Sequence, residues 1–130
     1  MDFELTAEQE GLRRRARALA DTVFAERAQR WDESEEYPWE NVKDLVAAGF
    51  MGMTVPAEHG GAGRPLLDVI LVIEEIARAC GVTARIVVEG NLGTVGALGA
   101  YGTEEHKRRY FPWVLEGEKP AIAITEVRAG

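Results

Sequence analysis

The sequence predicts an all-α fold with a single β-strand at its C-terminal end. Apolar residues recur every three or four positions over most of residues 6–115, which is the period of an α-helix. A short run typical of a buried strand follows at 121–125. The length of 130 residues, with 46% hydrophobic and 28% charged residues, is typical of one globular domain and excludes disorder and collagen-like repeats.

The first helix is predicted to begin at a capping box, Thr6-Ala7-Glu8-Gln9, whose Thr hydroxyl and Gln side chain each satisfy a free backbone N–H. The apolar stripe that follows consists of Leu12, Ala16, Leu19, Ala20, Val23 and Phe24. The residues largely off this stripe include Arg13, Arg14, Arg17 and Arg30. In a chain this acidic, we interpret these arginines as the charged face of a surface helix rather than as an anion site.

A second helix is predicted from Pro38, which suits a first helical turn, to a glycine stop at Gly49. The glycine-rich segment from Pro56 to Pro65 is predicted to be a loop. Its glycines lack the spacing of a dinucleotide or P-loop motif, and the P-loop lysine is missing. His59 is predicted to be a solvated loop residue without a catalytic role, because no second His or Cys lies nearby.

The central helix is predicted over residues 65–79. This segment is apolar almost all round, and a helix of that character is buried on several sides. Its β-branched residues also suit a buried strand, but its length and the Glu74-Glu75-x-x-Arg78 end favour a helix.

The segment from Thr83 is apolar but is interrupted by glycines at positions 90, 93, 96, 99 and 102. Each glycine inside a helix costs about 1 kcal/mol relative to alanine. Either another backbone or a ligand therefore comes close to these glycines, or the helix breaks here, and the sequence leaves both interpretations open. After the Gly102-Thr103 turn, a last helix is predicted over Glu104–Leu115, followed by a turn at 117–120 and the strand. The apolar anchors of this helix are predicted to be Tyr110, Phe111, Trp113 and Val114.

The charge and cysteine content exclude several classes of function. A net charge of −7 argues against nucleic acid and anionic membranes as partners. The single cysteine, Cys80, forms no internal disulfide and offers no zinc-type spacing, so a cytoplasmic location is expected. The acidic N-terminus does not resemble a signal peptide, and the sequence contains no apolar run that reaches the ~18 residues of a membrane span.

Three motifs follow one another along the chain. They are Gly49 with Pro56-Ala57-Glu58-His59-Gly60-Gly61-Ala62-Gly63, then Tyr101-Gly102-Thr103-Glu104-Glu105-x-Lys107-x-x-Tyr110, and finally Gly117-Glu118 leading to Ala123-Ile124-Thr125-Glu126-x-x-Ala129-Gly130. In order and spacing, from Leu5 to Gly130, they resemble the N-terminal part of acyl-CoA dehydrogenases. Val127 stands where that family usually has proline, which leaves the local turn undetermined.

The resemblance implies an N-terminal helical domain over 1–120 and the start of a flavin-binding β domain over 121–130. It further implies FAD as cofactor, an acyl-CoA substrate, electron-transfer flavoprotein as electron acceptor, and a homotetramer or hetero-oligomer. In the family the catalytic glutamate lies in a C-terminal bundle, so no catalytic residue is assigned here. The chain is expected to be a truncation that binds FAD feebly and is inactive alone.

By the same resemblance, Ile122, Ile124 and Thr125 correspond to strand positions that line the flavin, the threonine through its hydroxyl and the two isoleucines largely through their backbone. The segment expected to line the floor of the acyl cavity contains Glu89, Gly90, Leu92, Gly93 and Gly96. Glycines there would leave room for an acyl group, but tight helix packing explains them equally well. Glu89 is expected to be solvated or paired rather than a second base.

Two further functions stay open at this point. One is a helical interaction subunit without chemistry of its own, and the other is a flavin oxidase or monooxygenase on the same scaffold.

Overall fold

A computed structural model describes residues 4–127, and its regular structure over that range is helical. The helices are α1 (Ala7–Leu19), a π-helical turn (Ala20–Phe24), α2 (Ala25–Ser34), α3 (Trp39–Ala47), a 3₁₀ turn (Ala57–His59), α4 (Leu66–Ala77), α5 (Gly81–Glu89), α6 (Gly93–Tyr101) and α7 (Glu104–Leu115). The predicted all-α class is therefore confirmed. None of these helices is both long enough and apolar enough to span a bilayer.

The first helix begins at the predicted capping box. The Gln9 backbone N–H donates to Thr6 Oγ1 at 3.2 Å, and the Thr6 backbone N–H donates to Gln9 Oε1 at 3.0 Å. The helix passes without interruption through the π-helical turn into α2 and ends at Glu35, whose φ of 56° is left-handed. Its apolar stripe is buried or partly buried. Three of the four arginines beside it form ion pairs with other helices: Arg13 and Arg17 with Glu75 of α4, and Arg30 with Glu40 of α3. The interpretation of a charged surface face is confirmed.

The predicted central helix, α4, packs between α1 and α5. Val69, Val72 and Ile76 have no exposed surface and join the large core. The N-terminal half departs from the expectation of burial on several sides, because Leu66 and Leu67 are 57% and 49% exposed. Ile70 is also 44% exposed, whereas Asp68 and Val69 are buried, so only one side of this end is covered within residues 4–127.

The glycine-rich segment is broken between α5 and α6, so one of the two interpretations left open by the sequence holds at Gly90, while Gly93, Gly96 and Gly99 lie within α6. Residues 90–92 lie outside both helices. The break is anchored to the loop that follows α3, because the Gly52 N–H donates to the Gly90 carbonyl at 3.1 Å.

The last helix, α7, has the predicted bounds and starts at a second capping box, between Thr103 and His106. Phe111 and Val114 are buried in a small core with Val55 and Val95. Their predicted companion anchor Trp113 is instead 46% exposed. The predicted anchors thus divide into a buried pair and an exposed aromatic face.

The predicted strand at 121–125 is not formed within residues 4–127, where these residues belong to no helix or sheet. A strand requires a neighbouring strand to pair with, and no second strand is formed within residues 4–127. The turn before it is present, with Gly117 at a φ of 91°. Residues 128–130, which complete the predicted motif, lie outside the described residues. The proposed boundary at residue 120 stays a prediction.

Candidate functional site

The segment expected to line the acyl cavity is held in place by the buried side chain of Asn91. Its Oδ1 accepts from the Met53 N–H at 2.6 Å, and its Nδ2 donates to the carbonyls of Phe50 and Val87, both at 2.8 Å. A buried amide whose groups are all hydrogen-bonded specifies one local geometry. Asn91 therefore fixes the direction in which α6 leaves the break, and sequence reasoning did not assign it this role.

The three glycines of this segment have different surroundings. A Cβ atom on Gly90 would lie 2.5 Å from Met51 Cε, so Gly90 allows a core side chain to pack against the backbone. A Cβ on Gly93 would overlap Ile122 Cδ1, whereas a Cβ on Gly96 would have nothing within 4 Å. The packing of the Met51 side chain explains Gly90. Of the three glycines, only Gly96 faces open space.

Glu89 lies at the end of α5 and is paired, as expected. Its Oε1 accepts from Arg85 Nε at 3.2 Å. Its negative charge also acts on a neighbour: burial first, and the Glu89 carboxylate second, raise the pKa of Tyr37 to about 12. Nothing in this geometry aims Glu89 as a base.

A groove of about 280 Å³ lies between α6, α7 and the turn that follows α7. Its lining is mostly apolar and includes Val95, Leu98, Tyr110, Trp113 and Val114. Lys119 supplies a positive charge at its border. A concave apolar surface with few polar groups suits an organic ligand better than an ion.

The residues expected to contact flavin are accessible. Ile124 is 80% exposed, Ile122 is about half exposed, and Thr125 is exposed. The Thr125 hydroxyl makes no hydrogen bond within residues 4–127. Two apolar side chains and a free hydroxyl fit a flat ring system with polar edge atoms, so the residues present are compatible with a flavin.

His59 is not the solvated residue that the sequence predicts. Its side chain is only 8% exposed, with its ring 5.2 Å from that of Phe111 and its Nε2 3.5 Å from Glu104 Oε2. The 3₁₀ turn Ala57–His59 places it against α7. An irregular loop that folds onto a later helix has no periodic pattern in the sequence. The contact between His59 and α7 could therefore not be predicted. Within residues 4–127, no cluster of three or more His, Cys, Asp or Glu residues is arranged to hold a metal ion.

Comparison with known proteins places this helical array in one family. Residues 6–118 match the family described as "Acyl-CoA dehydrogenase, N-terminal domain", and the chain belongs to it.

Particular relatives have several activities. The 3-sulfinopropanoyl-CoA desulfinase of Cupriavidus necator is 50% identical over 128 residues, which are 98% of this chain and 32% of the relative. The short-chain specific acyl-CoA dehydrogenase of Clostridium acetobutylicum is 38% identical over all of this chain and 35% of its own length. The solved structure of butyryl-CoA dehydrogenase from Megasphaera elsdenii matches with a TM-score of 0.83 and 27% identity over 100% of this chain and 35% of that one. The chain thus spans about a third of the length of these relatives.

Proposed function

We propose that this chain is the N-terminal helical domain of an FAD-dependent enzyme that desaturates the α,β bond of an acyl-CoA thioester. One observation carries the proposal. Ile122, from the proposed flavin segment, lies against Gly93, from the proposed acyl segment. Hydride transfer requires the donor carbon and the acceptor at van der Waals distance, so the two binding segments of such an enzyme must adjoin.

The residues divide into two proposed roles. Ile122 and Ile124 lie along the flavin ring, and the Thr125 hydroxyl hydrogen-bonds one of its edge atoms. When bound, FAD supplies the hydride acceptor. Leu92, Gly93 and Gly96, together with the backbone at Glu89 and Gly90, form the wall against which the acyl group lies. The proton-abstracting base is proposed to lie outside this chain.

A second candidate function is desulfination of 3-sulfinopropanoyl-CoA. Its support is the 50% identity to a desulfinase, against 38% to a dehydrogenase. Both reactions use a short acyl-CoA thioester. No feature of the described residues favours the dehydrogenase reaction over the desulfinase reaction. The proposed acyl wall and flavin contacts are the same in either case.

The remaining parts of the proposal come from family resemblance. They are a boundary between the helical and the β domain at residue 120, electron-transfer flavoprotein as acceptor for the dehydrogenase reaction, and assembly into a tetramer or hetero-oligomer. A cytoplasmic location is proposed on a separate ground, the single cysteine Cys80.

The test uses the complete protein in which this chain occurs, purified and saturated with FAD. It is offered butyryl-CoA with an electron-accepting dye, and 3-sulfinopropanoyl-CoA with detection of released sulfite. Dye reduction supports the dehydrogenase, and sulfite release supports the desulfinase. The Thr125→Val variant removes the proposed hydroxyl contact and should retain less flavin than Thr22→Val, a matched change on the exposed face of the first helix. A folded protein that binds neither flavin nor acyl-CoA would contradict the proposal and favour an interaction subunit.

A further inference from the structure

Gly93 is covered by one side chain. A Cβ atom built on this first residue of α6 would overlap Ile122 Cδ1 and lie 3.5 Å from Ile122 Cγ1. Among residues 4–127, no other residue beyond its chain neighbours and its own helix backbone contributes an atom within 4 Å. The volume that glycine leaves free at this position is therefore filled by the δ-methyl group of Ile122.

The neighbouring glycines show that this arrangement is specific. Gly90 is closed by Met51, a buried core residue, so its surroundings do not change with a ligand. Gly96 faces open space. Only at Gly93 is the free volume controlled by a residue that is itself 53% exposed and can therefore also touch a bound molecule.

We propose that Ile122 determines which acyl groups the site accepts. The inference rests on the proposed function and deepens it. Because the δ-methyl group occupies the space over Gly93, a short straight acyl chain lies against the wall, whereas a chain with a methyl branch competes with Ile122 for the same volume. The substrate class that follows is short, unbranched acyl-CoA thioesters.

The contact itself is tested on the 130-residue chain by NMR, with ¹³C in the isoleucine δ-methyl groups. The signal of Ile122 is assigned by its loss in Ile122→Val. A nuclear Overhauser effect between that methyl group and the Gly93 α-protons is expected. Gly93→Ala should shift the Ile122 signal, whereas the matched change Gly96→Ala, made where nothing lies within 4 Å, should leave it in place. Absence of the Overhauser effect would overturn the proposal.

The role in specificity is tested on the complete protein as the ratio of kcat/KM for isobutyryl-CoA to kcat/KM for butyryl-CoA. Ile122→Val removes the δ-methyl group and should raise this ratio about tenfold, the effect of one methylene-sized change in an apolar pocket. In the double variant Gly93→Ala/Ile122→Val, the methyl group is moved from one side of the contact to the other, and the ratio should return towards its original value. Ile70→Val, the same change at a 44% exposed position of α4, should not alter it.

The outcomes separate the two levels of the proposal. Turnover with an unchanged ratio in Ile122→Val, or a raised ratio that the double variant does not lower, overturns the role of Ile122 and leaves the proposed function in place. Failure of the unsubstituted, FAD-loaded protein to bind or turn over either thioester overturns the proposed function, and the inference with it.

Discussion

Two regions of this molecule bury their apolar residues to very different degrees. The first half comprises helices α1 to α5, and the second half comprises α6, α7 and the loop around Val55. Helices α1, α4 and α5 share one large core with α3, in which side chains such as Phe24, Val72 and Val87 have no exposed surface. Helices α6 and α7 share a small core of four buried residues, Val55, Val95, Phe111 and Val114. Tyr101, Tyr110 and Trp113 of the same two helices stay exposed.

The difference indicates where stability and function reside. The first half holds most of the buried apolar residues, and burial is the dominant favourable term in folding, so we expect most of the stability to come from it. The second half leaves apolar and aromatic side chains exposed, and several of them line a groove, which is typical of a surface that binds another molecule. The proposed acyl wall lies at the junction, where Asn91 anchors α6 to the large core.

The largest expected effect comes from removing a ring in the large core. Phe24→Ala deletes a fully buried side chain and should lower the free energy of unfolding by about 3–5 kcal/mol. Because α1, α4 and α5 share this core, we expect one cooperative loss of structure across all three helices. Thermal unfolding followed by circular dichroism measures it, and a melting temperature near that of the unsubstituted chain would show that the core is not shared.

The matched change in the small core is Phe111→Ala. Phe111 is equally buried, but its neighbours are few and include the ring of His59 at 5.2 Å. We expect faster amide exchange in α7 and around Ala57–His59, with protection of α4 and α5 retained, because local opening needs less free energy than global unfolding. Equal loss of protection in all helices would contradict the division into two halves.

A smaller effect is expected from the ion pair that joins α1 to α4. Glu75 is buried and accepts from Arg17 Nε at 2.7 Å and from Arg17 Nη2 at 2.9 Å. Glu75→Gln should lower the free energy of unfolding by about 1.5–3 kcal/mol, the range for a hydrogen bond to a charged group. Glu40→Gln is the control: it breaks an exposed pair with Arg30 of the same 2.7 Å length and should change the melting temperature much less. Equal effects of the two variants would show that burial of Glu75 adds nothing.

The smallest effect appears only in alkali. Burial and the Glu89 carboxylate raise the pKa of Tyr37 from 10.0 to about 12, so the fold favours the neutral phenol. Its contribution to stability is complete below pH 10.0 and is lost as the pH rises towards about 12. An ultraviolet titration should show a late-ionising tyrosine that is missing in Tyr37→Phe and ionises earlier in Glu89→Gln. Coinciding titration curves for the unsubstituted chain, Tyr37→Phe and Glu89→Gln would contradict a buried Tyr37 beside the Glu89 carboxylate.

Local signals in the sequence predicted much of the fold. The capping box at Thr6 and the glycine stop at Gly49 lie where expected, because both act through atoms a few residues apart. The bounds of α7 followed from the Gly102-Thr103 turn. The burial of His59 and the exposure of Leu66 could not be predicted, because both depend on which helix lies opposite in space.

The candidate site was less predictable for the same reason. The resemblance indicated Gly93 and Ile122 as separate site residues. They lie 29 positions apart in the sequence, so their contact is visible only in three dimensions. Asn91 carried no periodic signal, since its role depends on carbonyls and an N–H that the fold brings to it.

The central claim, that this chain is the N-terminal third of an acyl-CoA enzyme, is tested most directly by domain exchange. The chain replaces the 128 matching residues of the Cupriavidus necator desulfinase, and the chimera is compared with the parent enzyme. We predict that the chimera folds, keeps the parent's cofactor content and turns over 3-sulfinopropanoyl-CoA, and that Thr125→Val in the chimera lowers the cofactor content. A chimera that folds with the parent's melting behaviour but neither holds cofactor nor turns over substrate would contradict the claim.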